Sequence, residues 1–161
     1  MENIIYLQKL ITRLIEQETI MLPCSEEEIN HVAKGKRLPI AFIEFLKCMG
    51  RGTVGEKKFM KGEDCYYEKL LKLTEGAREL LSENESELIL GEDVFVFFMS
   101  QGSLFCFFKL NEGDNPPVYL FSEAREDKFY KIAKCYTDFL VGYLKNDELL
   151  FDEISDKESS M

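Results

Sequence analysis

The order of sequence patterns along this chain of 161 residues predicts an α+β fold in a single domain. Apolar residues at helical spacing come first, phenylalanine-rich stretches with strand character follow, and helical spacing returns near the C-terminus. Helices at both ends with consecutive strands between them argue against repeating strand–helix–strand units. We therefore expect a mostly antiparallel or mixed central β-sheet, packed by N-terminal helices and a C-terminal helix.

Two amphipathic helices are predicted at the N-terminus. The first covers residues 3–19, and its apolar stripe is formed by Ile4, Leu7, Ile11 and Leu14. Ser25 and Glu28 then have the spacing of a capping box, in which each residue binds the backbone N–H of the other. This motif predicts a short helix that ends near Lys34.

The most apolar helix is predicted between Pro39 and Met49. Proline suits the first turn of a helix, and a glycine such as Gly50 commonly follows the last turn. The polar positions form one thin stripe that is expected to face water: Glu44, Lys47 and Arg51. Every other face is apolar, so this helix belongs in the middle of the domain.

The segment Gly50–Gly62 is rich in glycine and predicts a turn with a short strand around Lys58–Lys61. Helical spacing resumes over Tyr66–Ser82. Gly76 inside this stretch predicts a kink or two shorter helices, with Thr74 as a possible N-cap.

A β-hairpin is predicted from Val94–Met99 and Leu104–Leu110, joined by a turn over residues 100–103. A second turn, over residues 111–117, leads to a third strand at Val118–Phe121. A strong helix is then expected over about Asp127–Lys145, with an apolar stripe of Phe129, Ile132, Ala133, Tyr136, Phe139, Leu140 and Tyr143. We expect one domain over residues 1–150 and a loose acidic tail over 151–161.

The phenylalanines of the predicted hairpin favour core packing. A platform that stacks nucleic-acid bases needs interleaved cations, and only Lys109 is present. Side chains alternate along a strand, so the pairs Phe97-Phe98 and Phe107-Phe108 are each expected to place one ring on either face. If helices cover one face only, the other face offers an apolar patch rimmed by acidic residues.

Charge excludes several classes of partner. The chain has 20 Lys+Arg and 30 Asp+Glu, a formal net charge of −10. Direct binding of nucleic acid or of an anionic membrane needs a basic surface, so neither partner is expected. A basic protein partner fits the charge, as does simple solubility.

The expected location is the cytoplasm. No apolar run approaches the ~20 residues of a membrane span, and the N-terminus lacks the pattern of a signal peptide. The five cysteines are scattered and form no C-x-x-C pair, so we expect reduced, mostly buried thiols.

Motifs for catalysis, cofactors and metals are weak throughout. Gly50–Gly55 matches G-x-G-x-x-G, but a dinucleotide site needs a strand before this loop and a helix after it, and here a helix is predicted before it. His31, the single histidine, has no neighbours that would orient a catalytic base. Adjacent carboxylates are frequent, yet no calcium-loop pattern occurs. We therefore expect no catalytic, cofactor or metal site.

A family resemblance emerges from several motifs taken together. The first group of motifs surrounds the predicted central helix and consists of Leu38-Pro39, Phe42, Phe45-Leu46 and Gly50-Arg-Gly52. The second group lies in the later half of the chain and consists of Val96-Phe-Phe98, Gln101-Gly102, Phe105, Phe107-Phe108, Asp114, Pro116-Pro-Val-Tyr119, Glu123 and Phe139-Leu140. This series, over roughly residues 25–145, resembles the SUKH superfamily. That superfamily contains fungal cell-wall-assembly regulators and many bacterial immunity proteins, and the later motifs are closer to a bacterial branch. Arg51 and Thr137-Asp138 depart from its usual pattern, and the N-terminal helix exceeds its core.

The resemblance implies an α+β domain that acts by binding protein. Bacterial members of this kind are encoded beside polymorphic toxins, often nucleases, and block them by direct contact. A cognate, basic protein toxin is therefore the expected partner, bound through acidic loops and a few aromatic anchors. From loop position and charge, the candidate contact residues are Glu63, Asp64, Tyr66, Glu92, Asp93, Asp114, Tyr119 and Glu123.

Two other functions remain open from the sequence. The first is a regulatory scaffold like the fungal members, which would bind several protein partners weakly. The second is an enzyme or small-ligand binder with a pocket beside the Gly50–Gly55 turn, which would need convergent polar groups in a concave site.

Overall fold

The fold class is α+β, as predicted, with two strands that the sequence did not predict. The computed structural model describes residues 4–149, which form six helices and two antiparallel sheets in an α+β domain. The helices are α1 Gln8–Glu16, α2 Glu26–Ala33, α3 Ile40–Met49, α4 Tyr67–Leu70, α5 Leu73–Glu83 and α6 Tyr136–Asn146. The strands are β1 Ile20–Leu22, β2 Gly52–Val54, β3 Val94–Ser100, β4 Leu104–Lys109, β5 Val118–Ser122 and β6 Arg125–Ala133.

The main sheet is a meander of four strands in the order β3-β4-β5-β6, and each strand pairs antiparallel with the next. The predicted hairpin is confirmed. At its turn Gln101 and Gly102 both have positive φ, 51° and 68°, which matches the mirror-image turns that suit the twist of paired strands. The second sheet contains only β1 and β2, with Ile20 opposite Val54.

A β-bulge in β3 changes the direction of one phenylalanine. Val96 pairs with Phe107 but Phe98 pairs with Cys106, so Phe97 is the extra residue. The bulge turns Phe97 and Phe98 to the same face, and both rings meet Phe139 of α6, at centroid distances of 5.2 and 5.5 Å. The predicted alternation is therefore wrong for this pair.

The pair Phe107-Phe108 does alternate as predicted. Phe107 stacks on Tyr119 at 5.3 Å, whereas Phe108 meets Phe42 of α3 at 5.3 Å on the opposite face. Both faces of the sheet are nevertheless covered, because Phe105 and Phe121 on the Phe107 side are fully buried. The expected open apolar patch on the sheet is therefore absent from the described part of the chain, and core packing explains these rings.

Helix α3 lies in the middle of the domain, as predicted. Phe42 is fully buried and contacts Phe95 and Phe108 from the sheet and Tyr136 from α6, with centroid distances of 5.2, 5.3 and 5.7 Å. Pro39 occupies the N-cap position, and Gly50 follows the last residue. Both local signals thus mark the ends of the helix.

The predicted wet stripe of α3 is wrong at Glu44. Lys47 and Arg51 are exposed, but Glu44 is only 4% exposed. Its carboxylate accepts hydrogen bonds from the backbone N–H groups of the segment before α1, those of Ile5, Tyr6 and Leu7, at 2.9, 2.9 and 3.1 Å. A buried carboxylate requires such donors, which explains why this position is polar on an apolar helix.

The first helix is shorter than the predicted span of 3–19. α1 begins at Gln8, since the preceding N–H groups are bound by Glu44 rather than by helical carbonyls. Beyond its end, Glu18 adopts a left-handed conformation with φ of 61°. The chain then enters β1, a strand that the sequence did not predict.

The glycine-rich segment contains its strand in a different place. β2 lies at Gly52–Val54, and the predicted strand at Lys58–Lys61 is wrong because the chain turns there, with Met60 at a φ of 53°. The division into two shorter helices is confirmed as α4 and α5, but the break falls at Leu71-Lys72 and Gly76 lies inside α5. Thr74 is not the N-cap, since α5 begins after Lys72.

The C-terminal helix also starts later than predicted. Residues 125–133 form β6, and α6 covers only Tyr136–Asn146. Pairing with β5 decides the structure here, with Leu120 opposite Tyr130. The turn before β6 consists of Glu123 and Ala124. It contains no glycine and no residue with positive φ, so the sequence gives no signal for a hairpin there.

Two further predictions concern the C-terminal tail and membrane-spanning segments. The acidic tail predicted over 151–161 lies outside the described residues. Within residues 4–149, every helix is too short or too polar to span a bilayer.

The cysteines are free thiols, as predicted. Cys24, Cys65 and Cys106 are buried, and Cys48 and Cys135 are half-buried. Burial raises the pKa of Cys24 to about 11 and also raises the pKa of Cys48, Cys65 and Cys106. Only the thiolate reacts readily, so Cys24, Cys65 and Cys106 are protected both by lack of access and by protonation, whereas the half-buried Cys48 is protected by protonation alone.

The first prediction concerns Glu44. Replacing it (Glu44→Ala) removes the acceptor of three backbone N–H groups and should lower the free energy of unfolding by ~3 kcal/mol. Urea denaturation measures the change. Glu79→Gln, at an exposed position of α5, is the control and should stay within ~0.5 kcal/mol. A loss below ~1 kcal/mol for Glu44→Ala would contradict this role.

The second prediction concerns thiol reactivity. With iodoacetamide at pH 8, we expect alkylation of Cys48 and Cys135 before that of Cys24, Cys65 and Cys106, as followed by peptide mass spectrometry. In denaturant the difference should disappear. Alkylation of Cys106 in the folded protein as fast as that of Cys135 would show that the core is open at β4.

Candidate protein-binding surface

The predicted contact residues separate into two groups at opposite ends of the main sheet. Glu92, Asp93, Asp114 and Tyr119 lie near the start of β3, and Glu63, Asp64, Tyr66 and Glu123 lie near its end. Along the strand direction the separation ranges from ~10 Å, between Tyr119 level with Val96 and Asp64 opposite Met99, to ~20 Å over the seven residues of β3. A partner that contacts both groups must therefore extend along much of β3.

Hydrogen bonds to two backbone carbonyls hold the acidic turn at the start of β3. The carbonyl of Glu92 accepts a hydrogen bond from Lys36 Nζ at 3.2 Å, and that of Asp93 accepts one from the N–H of Leu110 at 2.7 Å. Glu92 is exposed and Asp93 is half-buried. Both residues are thus held through their backbone carbonyls, and these hydrogen bonds do not involve their carboxylates.

Asp114 links the loop after β4 to α3. Its backbone carbonyl accepts the N–H of Ala41 at 2.9 Å, and its carboxylate lies 4.0 Å from Arg37. The Arg37 side chain is 87% exposed, so this ion pair contributes little to stability. The position of Asp114 is therefore set mainly by the backbone bond.

Tyr119 is surrounded by partners within the chain. Its hydroxyl donates to Glu112 at 2.9 Å, and Lys109 Nζ lies 4.8 Å from the centre of its ring. Desolvation, together with the hydrogen bond to Glu112, raises the pKa of Tyr119 to about 12. A partner would meet this half-buried tyrosine as one member of a Lys109–Tyr119–Glu112 group.

At the other end of the sheet, Glu63 and Asp64 make structural contacts. The carboxylate of Glu63 accepts a hydrogen bond from the hydroxyl of Tyr143 at 2.6 Å. Asp64 forms an antiparallel bridge with Met99 through two backbone bonds of 2.9 Å. Glu123 is exposed, and its carboxylate accepts from Asn84 Nδ2 at 2.9 Å.

Tyr66 belongs largely to the core. Its ring stacks on Phe45 at 5.8 Å, and its hydroxyl donates to the carbonyl of Phe59 at 2.6 Å. Burial raises the pKa of Tyr66 well above its usual range. The role of all eight residues in partner binding stays a prediction.

The G-x-G-x-x-G segment has the wrong surroundings for a dinucleotide. Helix α3 precedes it and strand β2 lies within it, whereas a nucleotide loop follows a strand and opens a helix. A Cβ atom at Gly50 would clash with Cys24 Sγ, so this glycine serves close packing. The prediction of a glycine-rich turn agrees with this geometry.

The single histidine lies in a surface group of polar side chains. His31 is exposed, and its Nδ1 lies 3.2 Å from the hydroxyl of Tyr67. Arg51 lies over the Tyr67 ring at 5.7 Å and forms an ion pair with Glu28. The bond from the Ser25 backbone and the Arg51 charge lower the pKa of Glu28. This group joins α2 to α4.

Metal ligands are not gathered anywhere in the described part of the chain. Among residues 4–149, no group of three or more His, Cys, Asp or Glu side chains could hold a metal ion.

Sequence reasoning missed an apolar surface on the small sheet. Ile20, Leu22 and Val54 are 59%, 37% and 38% exposed, and the register places Ile20 directly opposite Val54. We call these three residues the β1–β2 face. The only sequence signal was three consecutive apolar residues between Thr19 and Pro23, too short to distinguish a strand from a loop.

A second missed feature follows α5. Exposed and inward-facing side chains alternate there: Glu85, Glu87 and Ile89 are exposed, whereas Leu90 is buried. Ile89 is 83% exposed and stands alone among acidic residues. Single exposed apolar residues are common on protein surfaces and need no function.

Comparison with known families agrees with this α+β architecture. The family model described as "SUKH_6: SMI1-KNR4 cell-wall" matches residues 27–140. The chain therefore belongs to the SUKH superfamily, within its SMI1-KNR4 group. The matched region runs from α2 into α6 and leaves α1 and β1 outside. A comparison with curated proteins finds no match.

Proposed function

We propose that this protein is a non-enzymatic immunity protein that neutralises a cognate, basic polymorphic toxin by direct contact in the cytoplasm. Membership of the SUKH superfamily supports a binding role of this kind. The observation that carries the proposal further is the acidic surface, with a formal net charge of −10 for the whole chain. An acidic protein attracts a basic partner over a distance and so associates faster with it.

The distribution of charge supports the same partner. Residues 79–108 contain six acidic residues and no Lys or Arg. This stretch includes Glu92 and Asp93 at the start of β3, and Glu123 lies near it through its bond to Asn84. A toxin with a basic surface, such as a nuclease domain, would meet complementary charge there.

A regulatory scaffold that binds several proteins is the second candidate. The description of the matching family model refers to the cell wall, as expected for relatives of the fungal regulators. Such a scaffold would bind several partners weakly, whereas an immunity protein binds one partner tightly.

The third prediction tests the immunity role. We expect the protein to form a complex with the toxin domain encoded beside its gene, with a Kd on the order of nanomolar. Because opposite charges steer the encounter, kon should fall as NaCl rises from 50 to 500 mM, while koff changes little. Surface plasmon resonance measures both rates, and a toxin assay measures neutralisation.

A toxin domain of equal charge from an unrelated system is the control and should bind at least ~100-fold more weakly, since charge alone gives no specificity. Failure to recover a toxin partner, or equal binding of the unrelated domain, would contradict the immunity role. Several weak partners without a toxin would support the scaffold.

A further inference from the structure

The β1–β2 face is an apolar surface on a sheet with a free edge. Ile20 and Val54 lie opposite each other in the antiparallel register, and Leu22 lies on the same side of β1. Met21 and Thr53 face the other way, and Thr53 is buried. The small sheet therefore has one face in the protein and one apolar face open to solvent.

The outer edge of β1 has no strand beside it. Within residues 4–149, β1 pairs with β2 alone. A strand directs its backbone N–H and C=O groups alternately to its two sides, so one side of β1 retains groups that no ladder uses. Such an edge can accept another extended strand by backbone hydrogen bonding, and side-chain contacts on the face then add specificity.

The charges around β1 define the chemistry of a partner. Residues 14–33 contain five glutamates and no Lys or Arg. Two cations, Arg51 and Lys57, flank β2, on the side of the small sheet away from the outer edge of β1. Glu28 is paired with Arg51, and four others remain exposed at the two ends of the strand: Glu16, Glu18, Glu26 and Glu27. Acidic groups at both ends of an apolar strand favour a partner strand in which basic residues flank apolar ones.

We propose that β1 is the docking strand for an extended, basic segment of the toxin. The segment adds to the free edge of β1, covers Ile20, Leu22 and Val54 with apolar side chains, and places its cations beside the glutamates at each end of the strand. This inference rests on the proposed function, because it takes a basic protein as the partner.

A second copy of this chain is a poor occupant of the same edge. Each copy has a formal net charge of −10, and glutamates of one copy would meet those of the other. The charge pattern therefore favours a basic partner over self-association. β1 also lies outside the residues matched by the family model, so the docking strand belongs to the part of the chain that precedes the family core.

The fourth prediction uses matched threonine variants. Ile20→Thr and Val54→Thr keep a β-branched side chain in the strand but remove apolar contact, and each should weaken toxin binding about tenfold, mainly through koff. Ile89→Thr is the control, because Ile89 is exposed at a distant position in the sequence, and it should leave binding within about twofold. Circular dichroism and thermal unfolding should show all three variants folded.

The surface can also be tested without a toxin. The probe is an acetylated decapeptide of alternating valine and lysine, and its control contains glutamate in place of lysine. With the lysine peptide, we expect amide chemical-shift changes at residues 20–22 and 52–54, and slower hydrogen exchange in β1. The glutamate peptide should bind at least about tenfold more weakly, because like charges repel.

The outcomes separate the two proposals. The docking strand is overturned if Ile20→Thr and Val54→Thr leave the affinity for the toxin unchanged, or if Ile89→Thr weakens it instead. The immunity role would still stand in either case. Peptide binding at β1 with no toxin partner contradicts the immunity role and overturns the toxin as the occupant, while it leaves β1 as a docking strand for another basic protein. Three further results would each overturn the docking strand. They are chemical-shift changes outside β1 and β2, equal binding of both peptides, and a dimer in sedimentation that Ile20→Thr disrupts.

Discussion

The carboxylate of Glu44 is the constraint on which the arrangement of the N-terminal part depends. It lies on the central helix α3, in a position that would otherwise suit an apolar side chain, and it is satisfied by three consecutive backbone N–H groups. The segment of residues 5–7 must therefore cross α3 at this point. α1 begins directly afterwards, and its length sets where the chain turns into β1. This buried acid, together with the buried side chains of Leu10 and Leu14, places the N-terminal extension against the family core.

The dense aromatic core explains why binding is expected at edges and loops. Phe42 of α3 and Tyr136 of α6 join the sheet on one side, while Phe105 and Phe121 are fully buried on the other. A sheet that is covered on both faces offers no broad surface to a partner. The accessible surface includes the acidic turns at the two ends of the strands and the small β1–β2 sheet outside the core.

The sequence predicted those elements whose signals are local. Pro39 marks the start of α3 and Gln101-Gly102 marks the hairpin, because each acts through its own backbone conformation. Gly50 follows the last residue of α3 in an ordinary helical conformation and serves close packing instead. β1 was missed because distant pairing creates it, and β6 was missed because its two-residue turn, Glu123-Ala124, carries no turn signal. Ile20, for example, is paired with Val54, 34 positions later.

The candidate site was predicted less well than the fold for a related reason. Acidic residues in loops can be found from the sequence, but the residues that they contact cannot. Glu63 binds a tyrosine of α6, 80 positions away, and Tyr66 stacks in the core. Exposure of Ile20 likewise depends on which elements pack against β1, and composition and periodicity do not encode that information.

The bulge at Phe97 has a consequence for how relatives of this chain can diverge. Since the bulge turns Phe97 and Phe98 onto α6 together, removing one residue from β3 would shift part of the strand to the opposite face. Insertions and deletions among homologues should therefore collect in the segment between α5 and β3 or in the loop before β5. Strand β3 should keep a constant length, even where the identity of its residues changes.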